Sequence, residues 1–436
     1  MERDAILAYI RAHEPEAERR RRLYAYYRGD HDIRRRVMQD PSKPNNRLCN
    51  GYPALIANAY TGYVFGEPIG YTADDALMAN LEGAMRYNDE QAENSMLGMD
   101  LAICGVAVEL HYMDADAEER FKRVDPVNCI EVRDGTLEDA LTALIRYYDT
   151  TDVVSNKLTR HVDVYEADGI AHYVQEGGEL IEQAREENVF GDVPAVVYQN
   201  NTDRLGDFEG VLTLIDAYDL MQSESLNDQE YFTDAYLKLM NLQGTQPEDI
   251  AEMKRQRVLL LPAESDADFL IKQQNDALVE NIKNRLNNDI HRFSGCPDMT
   301  DQNFAGNASG VAIRYKLLQF ENIAGVKERE FKRGLQRRLE LLCSIWALKG
   351  RGVFDWRTVQ ISFKRALPQN LLELAQALGT LGGLLSDETK RSMLPIDFDE
   401  ETEQKRIMEQ REQTMLFSIP DTYEELVISG NAEAEK

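Results

Sequence analysis

The chain has 436 residues, more than one compact core ordinarily holds, so two or more domains or one extended and elaborated fold are expected. Hydrophobic residues make up 43% and charged residues 29%, a globular balance that excludes wholesale disorder. Against 49 Lys and Arg stand 77 Asp and Glu, and the net charge of −28 excludes a surface that grips nucleic acid as a whole, because displacing counterions from phosphates needs cations.

Residues 1–38 read as helix, with Ile6, Leu7, Ile10, Leu23, Tyr26 and Tyr27 on apolar faces and an end near Gly29. Two basic runs, Arg19–Arg22 and Arg34–Arg36, read most simply as solvated basic faces. Lys43-Pro-Asn-Asn-Arg is turn chemistry: proline fixes its own dihedral and asparagine tolerates unusual backbone conformations. A helix restarts after Pro53, runs through Ile56 and Tyr60 to Gly62, and is closed off by Pro68 and Gly70. From 74 to 104 the spacing of Leu77, Leu81, Met85, Met96 and Leu101 is again helical.

From 105 to 198 the texture changes. Runs beginning at Val106, Leu144, His161 and Ala195 are β-rich and separated by Asp/Gly turns, which predicts a sheet domain. Residues 211–240 return to helix through Leu212, Ile215, Tyr218 and Met221, with Phe232, Ala235 and Tyr236 as a second apolar patch. A compact insert to about 272 follows, containing the apolar run 258–262 as one buried strand. Leu278, Ile282, Leu286 and Ile290 then recur every four residues, the stripe of an amphipathic helix that Pro297 ends. Between 309 and 348 the pattern stays helical, a rod of roughly 60 Å. Gly325 and Gly334 inside it predict a bend or a close helix contact. Residues 359–363 read as a strand, 370–415 as helix broken at Gly382-Gly383, and the tail from 418 as frayed.

Catalytic and metal signatures are missing from the sequence pattern. There is no Walker loop, and Gly306-Asn-Ala-Ser-Gly310 carries one residue too many for a nucleophile elbow, so Ser309 reads as a helix cap. The six histidines and five cysteines show no ligand spacing, so buried reduced thiols and no metal or cofactor are expected. The acidic cluster at Asp397, Asp399, Glu400, Glu401 and Glu403 is explained by a helix start. Neither a signal-peptide pattern at Met1 nor an apolar run of membrane-spanning length is visible, which predicts a soluble chain.

Three blocks carry a family resemblance. Tyr26-Tyr-Arg-Gly-Asp, Lys43-Pro-Asn-Asn-Arg-Leu-Cys-Asn50 and Thr61-Gly-Tyr-Val-Phe-Gly-Glu-Pro-Ile-Gly-Tyr71 form the first. Leu214-Ile-Asp-Ala-Tyr with Ser223, Ser225, Asn227-Asp228 and Ala235-Tyr236-Leu237 forms the second, and Phe304-Ala-Gly-Asn-Ala-Ser-Gly-Val-Ala-Ile313 the third. Together they resemble the portal proteins of tailed bacteriophages, of the siphophage type found in Gram-positive hosts.

That resemblance implies an α+β, helix-rich portal-type fold. Its parts would be a wing over 1–212, β-rich at 105–198; stem helices at 213–236 and 276–295; a small α/β clip at 237–275; and a tunnel loop at 296–308. A long kinked wing helix and strand at 309–368, a helical crown at 369–417 and a tail at 418–436 would complete it. It further implies a non-enzymatic ring of about twelve copies at one capsid vertex of the virion, assembled in the host cytoplasm. Its partners would be the terminase large subunit, head-completion or adaptor proteins, and major capsid and scaffolding proteins. Double-stranded DNA would pass through without sequence specificity, and no membrane is implied. Asp301, Gln302, Asn303 and Phe304 are the residues expected to approach DNA. An acidic wall lets a polyanion slide where a basic one would hold it. The Arg runs and the stretch from Lys327 to Arg338 are the candidates to neutralise acids of neighbouring copies. The alternatives are another head-morphogenesis or adaptor protein, or a nucleic-acid-processing enzyme.

Overall fold

A computed structural model describes residues 1–41, 43–232, 236–240, 266–270, 276–298, 315–365 and 403–410, with isolated residues between 376 and 390. The chain divides into two compact units, Met1–Ala366 and Leu367–Lys436; in the second, residues 403–410 are helical.

Helix α1 (Arg3–Tyr27) continues through Pro15, which lacks the donor a helix interior uses. Packing on both sides of the proline holds it: Ile6 and Ile10 enter one apolar cluster, Ala17, Leu23, Tyr24 and Tyr26 another. The helix ends beside the Gly29 that the sequence marks and does not run on to 38; beyond it Asp32–Arg35 form one 3-10 turn. Gly29 takes φ 77°, Asp30 N–H reaches Ala25 O and Gly29 N–H reaches Tyr26 O, so two orphan carbonyls are satisfied in a Schellman turn.

Helix α2 (Tyr52–Phe65) buries Ile56, Tyr60 and Val64, and leads to a short strand β1 (Gly70–Thr72) that the sequence did not suggest. The region 74–104 is two helices, α3 (Asp75–Asn88) and α4 (Glu90–Cys104), rather than one. Asp89 breaks them in the left-handed conformation, φ 51°, which Asp and Asn tolerate better than most residues. Asn88 seals the break by donating to Glu119 O and accepting from Phe121 N–H.

The predicted sheet domain is two antiparallel sheets. Strands β2 (Val106–Met113), β3 (Glu119–Val124) and β9 (Ala195–Gln199) pair in the order β3-β2-β9. Strands β4 (Cys129–Arg133), β5 (Leu141–Thr151), β6 (Leu158–Glu166), β7 (Gly169–Glu176) and β8 (Glu179–Glu187) form a sequential meander. Its inward residues Ile145, Tyr147, Val162, Val164 and Tyr173 cover Ile6 and Ile10 of α1. At the α4–β2 junction Gly105 has φ 81°, and a Cβ there would lie 2.0 Å from Arg204 O, so only glycine fits.

Helix α5 (Leu212–Phe232) stops short of the predicted 240; 236–240 is instead strand β10 (Tyr236–Met240), antiparallel to β11 (Asp266–Leu270). Leu-Lys-Leu-Met fits either period over so short a run, which is why helical spacing misled here. The expected strand at 258–262 lies outside the described residues. Helix α6 (Asp276–Ser294) carries the four-residue stripe, buried at Ile290 while Leu278 and Ile282 stay exposed.

Helix α7 (Leu318–Leu348) spans 31 residues, about 46 Å, and residues 309–314 of the predicted rod lie outside the described residues. It lies across β9, and Gly334 faces Tyr198, whose ring would be 2.2 Å from an added Cβ. The close contact predicted at Gly334 is therefore with a strand side chain rather than a helix. Nothing comparable surrounds Gly325. Strand β12 (Gln360–Ser362) matches the predicted 359–363 and pairs with β1, Gly70 opposite Ser362.

Candidate functional site

Two of the three sequence blocks meet on one face of α5. Asp219, Ser223 and Asn227 are spaced by four residues, so their side chains stack on one helix face about 6 Å apart. Residues 44–50 lie along that face without regular secondary structure, and two residues of extended chain advance about 6.6 Å. The two spacings match. Asn46 N–H donates to Asn227 Oδ1 at 2.7 Å, Leu48 N–H to Ser223 Oγ at 2.9 Å and Asn50 N–H to Asp219 Oδ1 at 2.8 Å. Every second backbone amide of this strap thus finds every fourth helix side chain. Asn46 Nδ2 and Asn50 Nδ2 repeat the bonds of their own amides to Asn227 and Asp219.

The strap is anchored at both ends. Before it, Tyr26 O–H donates to Asp216 Oδ1 at 2.6 Å, Arg36 pairs with Glu224 at 2.7 Å, and buried His31 sets Nδ1 2.5 Å from Asp219 Oδ2. Burial and the Asp216 carboxylate push the Tyr26 hydroxyl up, so it stays a donor at neutral pH. After it, Tyr52 packs edge-on against Tyr218 near the start of α5 and His291 near the end of α6, and its hydroxyl donates to Asn287. The two helices that flank the insert therefore run antiparallel and share one anchor.

The segment following α6 is set by a buried charge pair. Lys327 Nζ lies 2.6 Å from Asp207 Oδ2, with both side chains almost fully buried. Burial pushes the carboxyl up and the ammonium down, and each opposes the other's shift. Beside them Tyr60 O–H donates to Ser294 O, and Gly295 turns with φ 70° against Ile323. A second buried centre pins α7 to the three-stranded sheet. Arg338 reaches Glu109 at 2.5 Å and Glu90 at 3.3 Å, while Glu109 also accepts from Tyr198 and meets His111. Burial alone would raise the Glu109 carboxyl, but Arg338 and His111 hold it down at about 2.

These pairings correct two expectations. Lys327 and Arg338 are committed inside the chain and are not available to a neighbour's acids. The Arg19–Arg22 run is not a free basic face: Arg20 is buried and donates to Pro126 O, Arg19 pairs with Glu209, Arg21 with Glu18 and Arg22 with Asp32. Arg35 and Arg36 are likewise paired, with Asp30 and Glu224. His161 and His172 sit diagonally on the β6–β7 hairpin, each with its own partner, Thr150 and Asp163. Cys104, Cys129, Cys296 and Cys343 are buried free thiols, and burial pushes the first three up to about 12.

Asp301, Gln302, Asn303, Phe304 and Ser309 all lie outside the described residues. Sequence reading missed Asp219 as the centre of the strap, although Asp219, Ser223 and Asn227 at four-residue spacing were the available signal. Among the described residues no helix is long and apolar enough to cross a membrane.

Residues 7–415 match the family model described as phage portal protein, SPP1 Gp6-like. The chain is 24% identical over 428 residues to the portal protein of Bacillus phage SPP1, covering 92% of this chain and 82% of that one. It is 23% identical over 447 residues to the portal protein of Clostridium phage phiCD119, covering 94% and 96%.

Proposed function

The chain belongs to the SPP1 Gp6-like phage portal protein family, a structural component of the virion's capsid vertex and not an enzyme, and from that premise we propose how its parts divide the work. About twelve copies close into a ring with heterologous contacts between neighbours. Residues 1–212 and 309–368 make the wing, α5 and α6 the stem, and 369–417 the crown. The clip, 237–275, lies between the two stem helices. The clip docks the terminase large subunit during packaging and head-completion or adaptor proteins afterwards, while the ring's outer parts meet major capsid and scaffolding proteins. Assembly takes place in the host cytoplasm. Residues 296–308 project towards DNA, with Asp301, Gln302, Asn303 and Phe304 nearest it, in a channel whose acidic wall lets the polyanion slide.

The observation that carries this reading is the strap: two of the three blocks of the family resemblance meet along α5, one of the two helices that flank the insert. A channel part under load needs its stem fixed to its wing. Deleting 299–305 tests the loop: rings of twelve 49.8-kDa chains, roughly 600 kDa, should still form while packaging or retention of DNA is impaired. Loss of the ring itself would make that segment structural.

A further inference from the structure

His31, Cys49 and Asp219 bring one imidazole nitrogen, one thiol sulfur and one carboxylate oxygen within 4.8 Å of one another, although they are far apart in sequence. Every other polar atom of this group is already committed. His31 Nε2 lies 3.1 Å from Tyr26 O, and a carbonyl can only accept, so Nε2 carries the ring proton. The ring is held in place by stacking on Tyr26, centroids 4.6 Å apart. Asp219 Oδ1 takes both N–H groups of Asn50, leaving Oδ2 to face His31. Nδ1 and Oδ2 therefore face one another 2.5 Å apart, with both side chains fully buried. At that separation the nitrogen and the carboxyl oxygen share either a proton, carried by one or the other, or a metal ion. A histidine whose outer N–H is fixed on a backbone carbonyl, while its inner nitrogen meets a carboxylate and a thiol, has the arrangement of a metal ligand with its supporting shell in place.

We propose that His31 Nδ1, Cys49 Sγ and Asp219 Oδ2 form a binding site for a borderline divalent transition metal of the zinc type, which ties the strap and the turn after α1 to α5. The mixed N, S and O donor set suits such an ion and disfavours magnesium or calcium, which take oxygen. Half-buried Cys49 leaves the fourth tetrahedral position towards solvent, where water completes the shell. With metal–nitrogen and metal–oxygen bonds of about 2.0 Å, the His31–Asp219 separation opens to about 3.3 Å on binding, and the thiol loses its proton.

The full-length protein, stripped with chelator and reloaded with Zn²⁺ or Co²⁺, is expected to keep about one ion per chain after desalting. The cobalt form should show thiolate-to-metal charge-transfer absorption. Cys49→Ala touches none of the hydrogen bonds around Asp219. It should abolish that absorption and weaken Zn²⁺ retention by roughly tenfold or more, with the thermal midpoint of the metal-free protein unchanged. Cobalt bound without the thiolate band, or Zn²⁺ retention indifferent to Cys49→Ala, overturns the site. Nitrogen-15 spectra of the wild-type protein at saturating Zn²⁺ give an independent reading should the variant fail to fold. A His31 Nδ1 resonance that shifts on addition of Zn²⁺ supports the metal, and one that is the same with and without Zn²⁺ would mean that a proton fills the gap and the proposal is wrong.

Discussion

Replacing Arg338 by methionine removes the one cation in a buried centre that holds two carboxylates. Its effect falls mainly on Glu109, which receives the guanidinium at 2.5 and 3.0 Å and is itself fully buried. Glu90 suffers less, because Tyr71 O–H and Asn94 Nδ2 also donate to it. Breaking a buried pair on one side costs about 3–5 kcal/mol, since the remaining charge keeps its desolvation penalty without its partner. The pH dependence should change as well. In the wild type the Glu109 carboxyl is held down from 4.5 to about 2, so the unfolded chain binds more protons between those values. The corresponding stabilisation, about 3 kcal/mol, is complete above pH ~4.5 and is lost as pH falls towards ~2. In Arg338→Met only His111 is left to oppose burial, so the Glu109 carboxyl moves up from its wild-type position and the stabilisation gained between pH ~2 and ~4.5 should shrink. Urea midpoints followed by Trp346 fluorescence measure this near the site, because that indole is buried and donates to Glu119. Adding Glu109→Gln to Arg338→Met should restore most of the loss. A single variant that loses less than about 1 kcal/mol, or a double variant no more stable than the single, would refute the account.

Ser223→Ala removes the acceptor of the Leu48 amide and should cost about 1–2 kcal/mol; hydrogen exchange should speed up at Leu48 before it does in α5, and unchanged protection there would sink the strap. Gly334→Ala pushes a methyl into the Tyr198 ring and should destabilise by about 1–3 kcal/mol in thermal unfolding, whereas Gly325→Ala, in open space, should be neutral or slightly stabilising.

Local chemistry was legible wherever a residue decides its own conformation. Gly29 ended α1, the four-residue stripe marked α6, and the β-rich runs announced a sheet domain, though not its division into two sheets. Asp89 and 236–240 were misread because their periodicity is compatible with more than one backbone path, and neighbours choose between them. The family, too, was legible from motif residues alone, since its signature blocks are continuous in sequence.

What only the tertiary structure decided is which charges and polar groups face one another. From composition the chain looked acidic with basic runs to spare, but folding places Arg20, Lys327 and Arg338 in the interior, against carbonyls and carboxylates 106 to 248 positions away. Desolvation makes such partners obligatory, yet nothing in the linear spacing names them. The same holds for the strap and for His31, Cys49 and Asp219: extended chain and helix advance at different rates per residue, and their match appears only when one is laid on the other.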